Sequence, residues 1–314
     1  MLRKVAVWVV VCLLLVGASA VVGGFYLTKL ALRPAVERDT EACYARFVEN
    51  YPTLQGWADT LLSSGRLRPV MRTAEDGTQL EAWVIAADEP TDCTAVVVHG
   101  YTDHPFGMLQ IAWIYHKHLG YNVLLPTLRY HGASGGEAIQ MGWGDRLDVK
   151  EWIHCLPQLF GAEQRVVVHG ISMGAATTMM LAGEADVPAA VCCYVEDCGY
   201  TSVWEQFCKE LREDYHLPPF PILYVANCYC RLRYGWDFRE ASALDAVARA
   251  EAPMLFIHGE EDHYVPTAMV YPLYEHKSGV KELWVAPGSG HAWAFADHAE
   301  EYVERVCDFV SRYI

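Results

Sequence analysis

The sequence predicts an α/β domain, a mostly parallel sheet covered by helices on both faces, behind an apolar N-terminal helix. Three observations carry this. Short apolar runs alternate with helical stretches from Thr94 onward, the pattern of strands buried on both faces. A glycine-flanked serine, Gly170-Ile171-Ser172-Met173-Gly174, joins one of those runs to a small-residue helical stretch. Finally, no charged residue occurs from Val5 to Thr28.

That uncharged stretch follows Arg3 and Lys4. At about 1.5 Å per residue, it spans the roughly 30 Å hydrocarbon core of a bilayer. Ala18-Ser19-Ala20 has the form of a signal-peptidase site. Apolar residues nevertheless continue through Val21, Val22, Phe25, Tyr26 and Leu27, where a cleaved leader turns polar. Residues 1–34 therefore read as an uncleaved membrane anchor, with a cleaved signal as the alternative. The short basic tail favours the tail on the cytoplasmic side and the domain on the extracytoplasmic side of the membrane.

The 314 residues are 53% hydrophobic and 20% charged, which excludes disorder and supplies a full core. Beyond the anchor, the length suits one large domain. A formal net charge of -15 argues against nucleic acid as partner. It also argues against broad contact with anionic lipid. Of eleven cysteines, Cys12 lies in the apolar segment. The other ten permit disulfides in an oxidising compartment, yet Cys192 and Cys193 are adjacent in an apolar run and read as small buried hydrophobes. Cys228-Tyr229-Cys230 is not a zinc spacing, and no Cys-x-x-Cys pair occurs. Neither a metal nor an organic cofactor is expected.

In chain order, residues 35–65 form a helical stalk or packing helix, with Tyr44, Phe47, Val48 and Tyr51 at helical spacing from about Arg38 to Ser63. The α/β domain covers 66–314. It opens with a hairpin, Leu67–Thr73 and Leu80–Ile85 about Asp76-Gly77. Strands follow at Thr94–Val98, Asn122–Leu125, Arg165–Val168, Ala189–Val195, Met254–Ile257 and Leu283–Val285. Helices fall at Met108–Leu119, Gly144–Leu156, Ala175–Ala182 and His298–Tyr313. No strand is expected between Tyr200 and Ala243. That aromatic-rich stretch, with Leu217-Pro218-Pro219-Phe220-Pro221, reads as a helical insertion over the sheet's carboxyl edge, residues 199–243.

Strand, tight turn, helix is the context in which a Gly-x-Ser-x-Gly presents an exposed, strained nucleophile. A serine hydroxyl needs a base held by an acid, in the chain order serine, acid, histidine. Asp262, after the strand ending His258-Gly259, supplies the acid, with Asp197 as runner-up. His291, in Gly288-Ser289-Gly290-His291 after the next strand, supplies the base. Among the other histidines, His169 and His258 end strands just before glycine and read as residues that pack or hydrogen-bond locally. His116, His118, His154, His276 and His298 read as solvated or structural, and His104, His131 and His263 as loop residues able to touch substrate. The oxyanion donors are the N–H groups of Met173 and Tyr101. Trp204, Phe207, Phe220, Tyr224 and Trp236 of the insertion are expected to line the substrate pocket.

His99-Gly100-Tyr101, Arg129-Tyr130-His131-Gly132-Ala133-Ser134-Gly135-Gly136, the Ser172 motif, His258-Gly259-Glu260-Glu261-Asp262 and Gly290-His291 together resemble the α/β-hydrolases. With Met141-Gly142-Trp143 and Glu196-Asp197-Cys198-Gly199-Tyr200-Thr201-Ser202, the chain is more narrowly similar to bacterial membrane-anchored hydrolases of the serine aminopeptidase-like and Bem46-like kind. The resemblance covers about residues 66–314. It implies an eight-stranded, mostly parallel sheet and a Ser-His-Asp mechanism, and leaves the substrate open. The expected partner is a small acyl ester or a peptide-like substrate. An aminopeptidase would need acidic groups near the cleft, for which Glu196, Glu205 and Glu213 are the candidates. A non-catalytic binding protein on this fold is the remaining alternative.

Overall fold

The computed structural model describes residues 2–161 and 164–314. Helix α1 (Leu2–Leu32) is long and apolar enough to cross a membrane. Helices α2 (Thr40–Asn50) and α3 (Gln55–Ser63) follow. The single helical stretch expected over 38–63 is broken at Tyr51-Pro52 by a short 3-10 turn, Pro52–Leu54. Proline has no N–H to continue the helical ladder. Cys43, Phe47, Leu54, Ala58 and Leu61 are buried, so α2 and α3 pack on the domain and do not stand clear of it. Each fully buried large apolar side chain stabilises that docking by about 1.5–3 kcal/mol.

The strands are β1 (Leu67–Thr73), β2 (Gln79–Ile85), β3 (Cys93–Val98), β4 (Asn122–Pro126), β5 (Arg165–Ile171), β6 (Val191–Asp197), β7 (Met254–Gly259) and β8 (Lys281–Ala286). They form one sheet in the order β1-β2-β4-β3-β5-β6-β7-β8. β2 pairs antiparallel with β1 and with β4, and every other pairing is parallel. The sixth strand runs two residues later than the sequence pattern indicates. A turn in which Val191 N–H donates to Pro188 O delays its start, and Glu196 and Asp197 thereby end the strand itself.

Two buried clusters lie against the sheet, as residues alternating along each strand require. The first includes Val96, Val98, Val166 and Val168. The short α4 (Leu109–Trp113) follows β3, and this cluster packs under α5 (Asp145–Phe160) and α6 (Met173–Ala182), where Val149, Trp152, Ala176 and Met179 are buried. The second includes Ala95, Val97, Val167 and Val195, with Phe47 of α2 and Leu61 of α3. After β6 the chain forms two cap helices, α7 (Val203–Glu213) and α8 (Ile222–Tyr234). The insertion is thus helical, as its aromatic and proline content predicts. No disulfide occurs among the described residues, where the cysteines are free.

The end of α1 is built into the body. A helix leaves its last carbonyls without internal partners. Here Tyr101 donates its hydroxyl to Ala31 O at 2.7 Å, and Ile139 N–H donates to Leu32 O at 2.8 Å. Just beyond, Arg38 donates to Gly132 O and Tyr130 O.

Candidate active site

β5 ends at Ile171, and α6 begins at Met173. Between them Ser172 takes φ 58° and ψ -118°, a region that costs a side-chain-bearing residue about 1–3 kcal/mol. The crossing is close enough to forbid side chains on either side. A Cβ on Gly170 would lie 2.1 Å from Gly174 O, and one on Gly174 would lie 2.1 Å from Val98 O. Ser172 N–H is satisfied by Asp197 O at 2.8 Å, which ties the turn to the end of the neighbouring strand.

The Ser172 hydroxyl lies 2.9 Å from His291 Nε2, and His291 Nδ1 lies 2.7 Å from Asp262 Oδ2. These distances fit a hydroxyl donating to Nε2 and an Nδ1–H donating to the carboxylate. Asp262 is buried, and its other oxygen accepts from the N–H groups of Tyr264 and Val265, both at 2.9 Å. Burial pushes the Asp262 carboxyl up, but hydrogen bonds from His258 and His291 outweigh it and hold the group down at about 2. His258 Nε2 lies 3.3 Å from Asp262 Oδ2 and 2.9 Å from Val265 O. The local hydrogen bonding expected of His258 thus includes a contact with the carboxylate that lies against His291.

Asp197, the runner-up acid, is drawn into a separate chain. It accepts from the Tyr302 hydroxyl at 2.9 Å. Tyr302 lies 3.0 Å from His169 Nε2, and His169 Nδ1 lies 3.0 Å from the Tyr115 hydroxyl. Burial raises the Asp197 carboxyl to about 6. Cys198, Asp262 and His291 place three potential metal-ligand atoms within 4.8 Å. The set fits an ion poorly: Asp262 and His291 are hydrogen-bonded to each other, and burial drives the Cys198 thiol well away from the thiolate form.

Ser172, Met173 and Tyr101 border an apolar cleft of about 890 Å³, mouth included. Its walls carry Met141, Tyr200, Phe207, Leu211, Phe238 and Tyr264. Gly100 abuts the nucleophile turn, a Cβ there lying 3.5 Å from Ser172 Cβ. His99 fixes that loop through Nδ1 to Gly100 O at 2.8 Å, while its Nε2 accepts from Leu128 N–H at 3.0 Å.

Of the five insertion aromatics expected in the pocket, Phe207 alone lines it. Trp204 is held under the Arg239 guanidinium at 3.5 Å and against Tyr224 at 5.1 Å. Trp236 is buried against Phe238, which takes the place at the cleft. Phe220 and Tyr224 are exposed. His104 and His131 do not reach the cleft either. His131 packs on His99 with ring centres 4.8 Å apart and donates from Nδ1 to Arg129 O. His104 Nδ1 accepts from Phe106 N–H. Burial lowers both imidazoles to about 4 and keeps them neutral.

Leu27, Thr28, Leu30 and Ala31 of α1 also line the cleft, a role that the hydropathy of the segment does not reveal. A uniformly apolar helix offers no polar face to reveal its buried one. The small residues Ala20, Gly24 and Thr28, spaced by four, are the signal that marks it, because small side chains let helices approach closely.

The sheet order and the strand–turn–helix around Ser172 define an α/β-hydrolase. The chain belongs to the alpha/beta hydrolase family, whose model matches residues 95–305. It is 33% identical over 224 residues to the uncharacterized protein YqkD of Bacillus subtilis (strain 168), covering 71% of this chain and 73% of that one. It is 23% identical over 219 residues to the uncharacterized membrane protein YNL320W of Saccharomyces cerevisiae, covering 69% and 70%. Among solved structures, the Pyrococcus furiosus esterase Pf2001 superposes with a TM-score of 0.63 at 27% identity, covering 79% of this chain and 92% of the esterase.

Proposed function

We propose that this protein is a membrane-anchored serine hydrolase that cleaves a carboxylic ester through an acyl-enzyme. The observation that carries the reading is the line of hydrogen bonds from Asp262 through His291 to Ser172, at the wall of an apolar cleft. His291 takes the Ser172 proton as the hydroxyl attacks the ester carbonyl. Asp262 fixes the imidazole tautomer and stabilises the imidazolium. The N–H groups of Met173 and Tyr101 receive the oxyanion. His291 then protonates the leaving alcohol, and a water activated by the same imidazole releases the acid.

Two further observations favour an ester. The lining is largely apolar, which suits an acyl group. The esterase Pf2001 is also similar in sequence and structure. An aminopeptidase would need carboxylates to receive a free ammonium. Glu210 is the one carboxylate among the lining residues, and burial raises it toward the neutral form. Glu196 lies buried with Oε2 on Gly199 N–H, Glu205 bonds Thr201, and Glu213 pairs with Lys209.

In this reading α1 is an uncleaved anchor, residues 35–65 pack on the domain, and 66–314 form the hydrolase with 199–243 as its cap. The hydrolase domain lies on the extracytoplasmic side. The test is fluorophosphonate labelling of the full chain in detergent micelles, with the modified peptide located by mass spectrometry. Labelling at Ser172, lost in Ser172→Ala and His291→Ala, is expected. A folded, monodisperse protein that takes no label would sink the reading.

A further inference from the structure

We infer that α1 is a working wall of the acyl site, and that the substrate is an ester whose acyl chain is drawn from the bilayer that α1 crosses. The inference rests on the ester-hydrolase reading above and adds where its substrate resides.

The cleft is enclosed partly by α1 and partly by the cap. Leu27, Leu30 and Ala31 line it from α1, and Ile222, Leu223 and Ala226 from α8. An acyl group on Ser172 therefore extends between the apolar faces of two helices. Thr28 adds no polar demand, because its hydroxyl is spent on Gly24 O at 2.7 Å.

The α1–α8 contact is close. A Cβ on Gly24 would lie 2.8 Å from Val225 Cγ1. Ala20 and Thr28 are buried on either side of it, and the Phe25 and Tyr229 rings lie 4.0 Å apart. With the Tyr101 and Ile139 bonds to its last carbonyls, α1 is fastened along its final turns. A simple tether needs none of these contacts.

The same turns are those that meet the membrane surface. A span needs about 20 apolar residues, which residues 5–24 supply. Phe25 and Tyr26 then fall at the bilayer surface, where they share an apolar groove with Tyr229, Tyr234, Lys29 and Arg33. Aromatic rings and long basic side chains are the residues that populate that layer. The cleft opens beside it. Leu30, Tyr215 and Tyr264 are its exposed lining residues, at 43%, 44% and 43%. Leu30 stands four residues beyond Tyr26, about 6 Å along the helix. A chain leaving the bilayer there enters apolar surface without crossing bulk water, a crossing that would slow its entry about fourfold per methylene exposed.

The experiment uses the full chain in phosphatidylcholine vesicles and an alkyl fluorophosphonate with a mid-chain diazirine. The expected result is phosphonylation of Ser172 and photo-crosslinks on residues 27–31 and 222–226. Phosphonylation of Ser172 with crosslinks confined to the rest of the cleft overturns the inference and leaves the hydrolase reading intact. Failure to modify Ser172 overturns both. As a second measurement, Leu27→Trp and Ala31→Trp should shift the chain-length profile toward short esters, lowering the dodecanoate-to-acetate ratio of kcat/KM about tenfold. An unchanged ratio in both variants also overturns it. So does a wild-type protein that hydrolyses a soluble acetate as fast as a vesicle-borne dodecanoyl ester.

Discussion

The Tyr101 hydroxyl donates a 2.7 Å hydrogen bond to the carbonyl of Ala31. One residue therefore offers its backbone N–H to the proposed oxyanion and its side chain to the last turn of α1. In Tyr101→Phe the backbone donor remains and the bond to α1 is lost. The expected cost is about 1 kcal/mol, seen as faster amide exchange at residues 28–33 and a several-fold lower kcat/KM. Unchanged exchange and kinetics together would show that the bond couples nothing.

The two buried carboxylates at the strand ends should behave differently. Asp262→Asn removes the acceptor that orients His291, and kcat is expected to fall by about 10⁴-fold with little change in KM. Asp197→Asn alters the bond to Tyr302 and should change kcat less than about threefold. Steady-state kinetics on one chromogenic ester decide it. A larger loss in Asp197→Asn would reverse the assignment.

Gly174→Ala forces a methyl group into Val98 O. The expected outcome is a loss of several kcal/mol in denaturant unfolding, or no folded protein. Gly56→Ala is the control. Nothing lies within 4 Å of its Cβ position, it sits in α3, and alanine is the better helix former. Its stability should be equal or slightly higher. Equal effects from the two changes would contradict the close crossing.

Glu196 gives a pH test. Burial pushes its carboxyl up from 4.5 to about 8. Between those values the folded chain holds a proton that the unfolded chain has released, so this group's contribution to stability falls as pH rises through the window and is level above it. Glu196→Gln does not titrate. The stability of the variant relative to wild type should rise from pH 5 to pH 8, by at most about 1.4 kcal/mol per pH unit, then flatten. A constant difference across that range would mean the folded carboxyl ionises normally.

Much of the frame was legible because it rests on local patterns. Buried parallel strands such as Cys93–Val98 are continuous apolar runs, and the turn at Ser172 needs glycine at 170 and 174. The loops bearing Asp262 and His291 follow their strands in the expected order. The walls of the cleft were less legible. Trp204 and Phe207 are both aromatic residues of the same helix, and only their positions around it decide that one meets Arg239 and the other the cleft. His104 and His131 sit near the active edge in sequence, yet burial on neighbouring loops removes them from it. The part played by α1 depends on contacts with residues some 70 to 200 positions away, which no local pattern encodes.

Because Gly24 is seated on Val225 and the carbonyls of Ala31 and Leu32 are held by the body, the hydrolase domain does not swing about α1 like a weight on a string. Helix and domain turn together as one lever. With α1 as the proposed anchor, a bilayer thinner than its apolar length is met by tilt, and that tilt reorients the whole domain and carries the mouth of the cleft with it. In that reading lipid thickness becomes a variable that the proposed active site can feel.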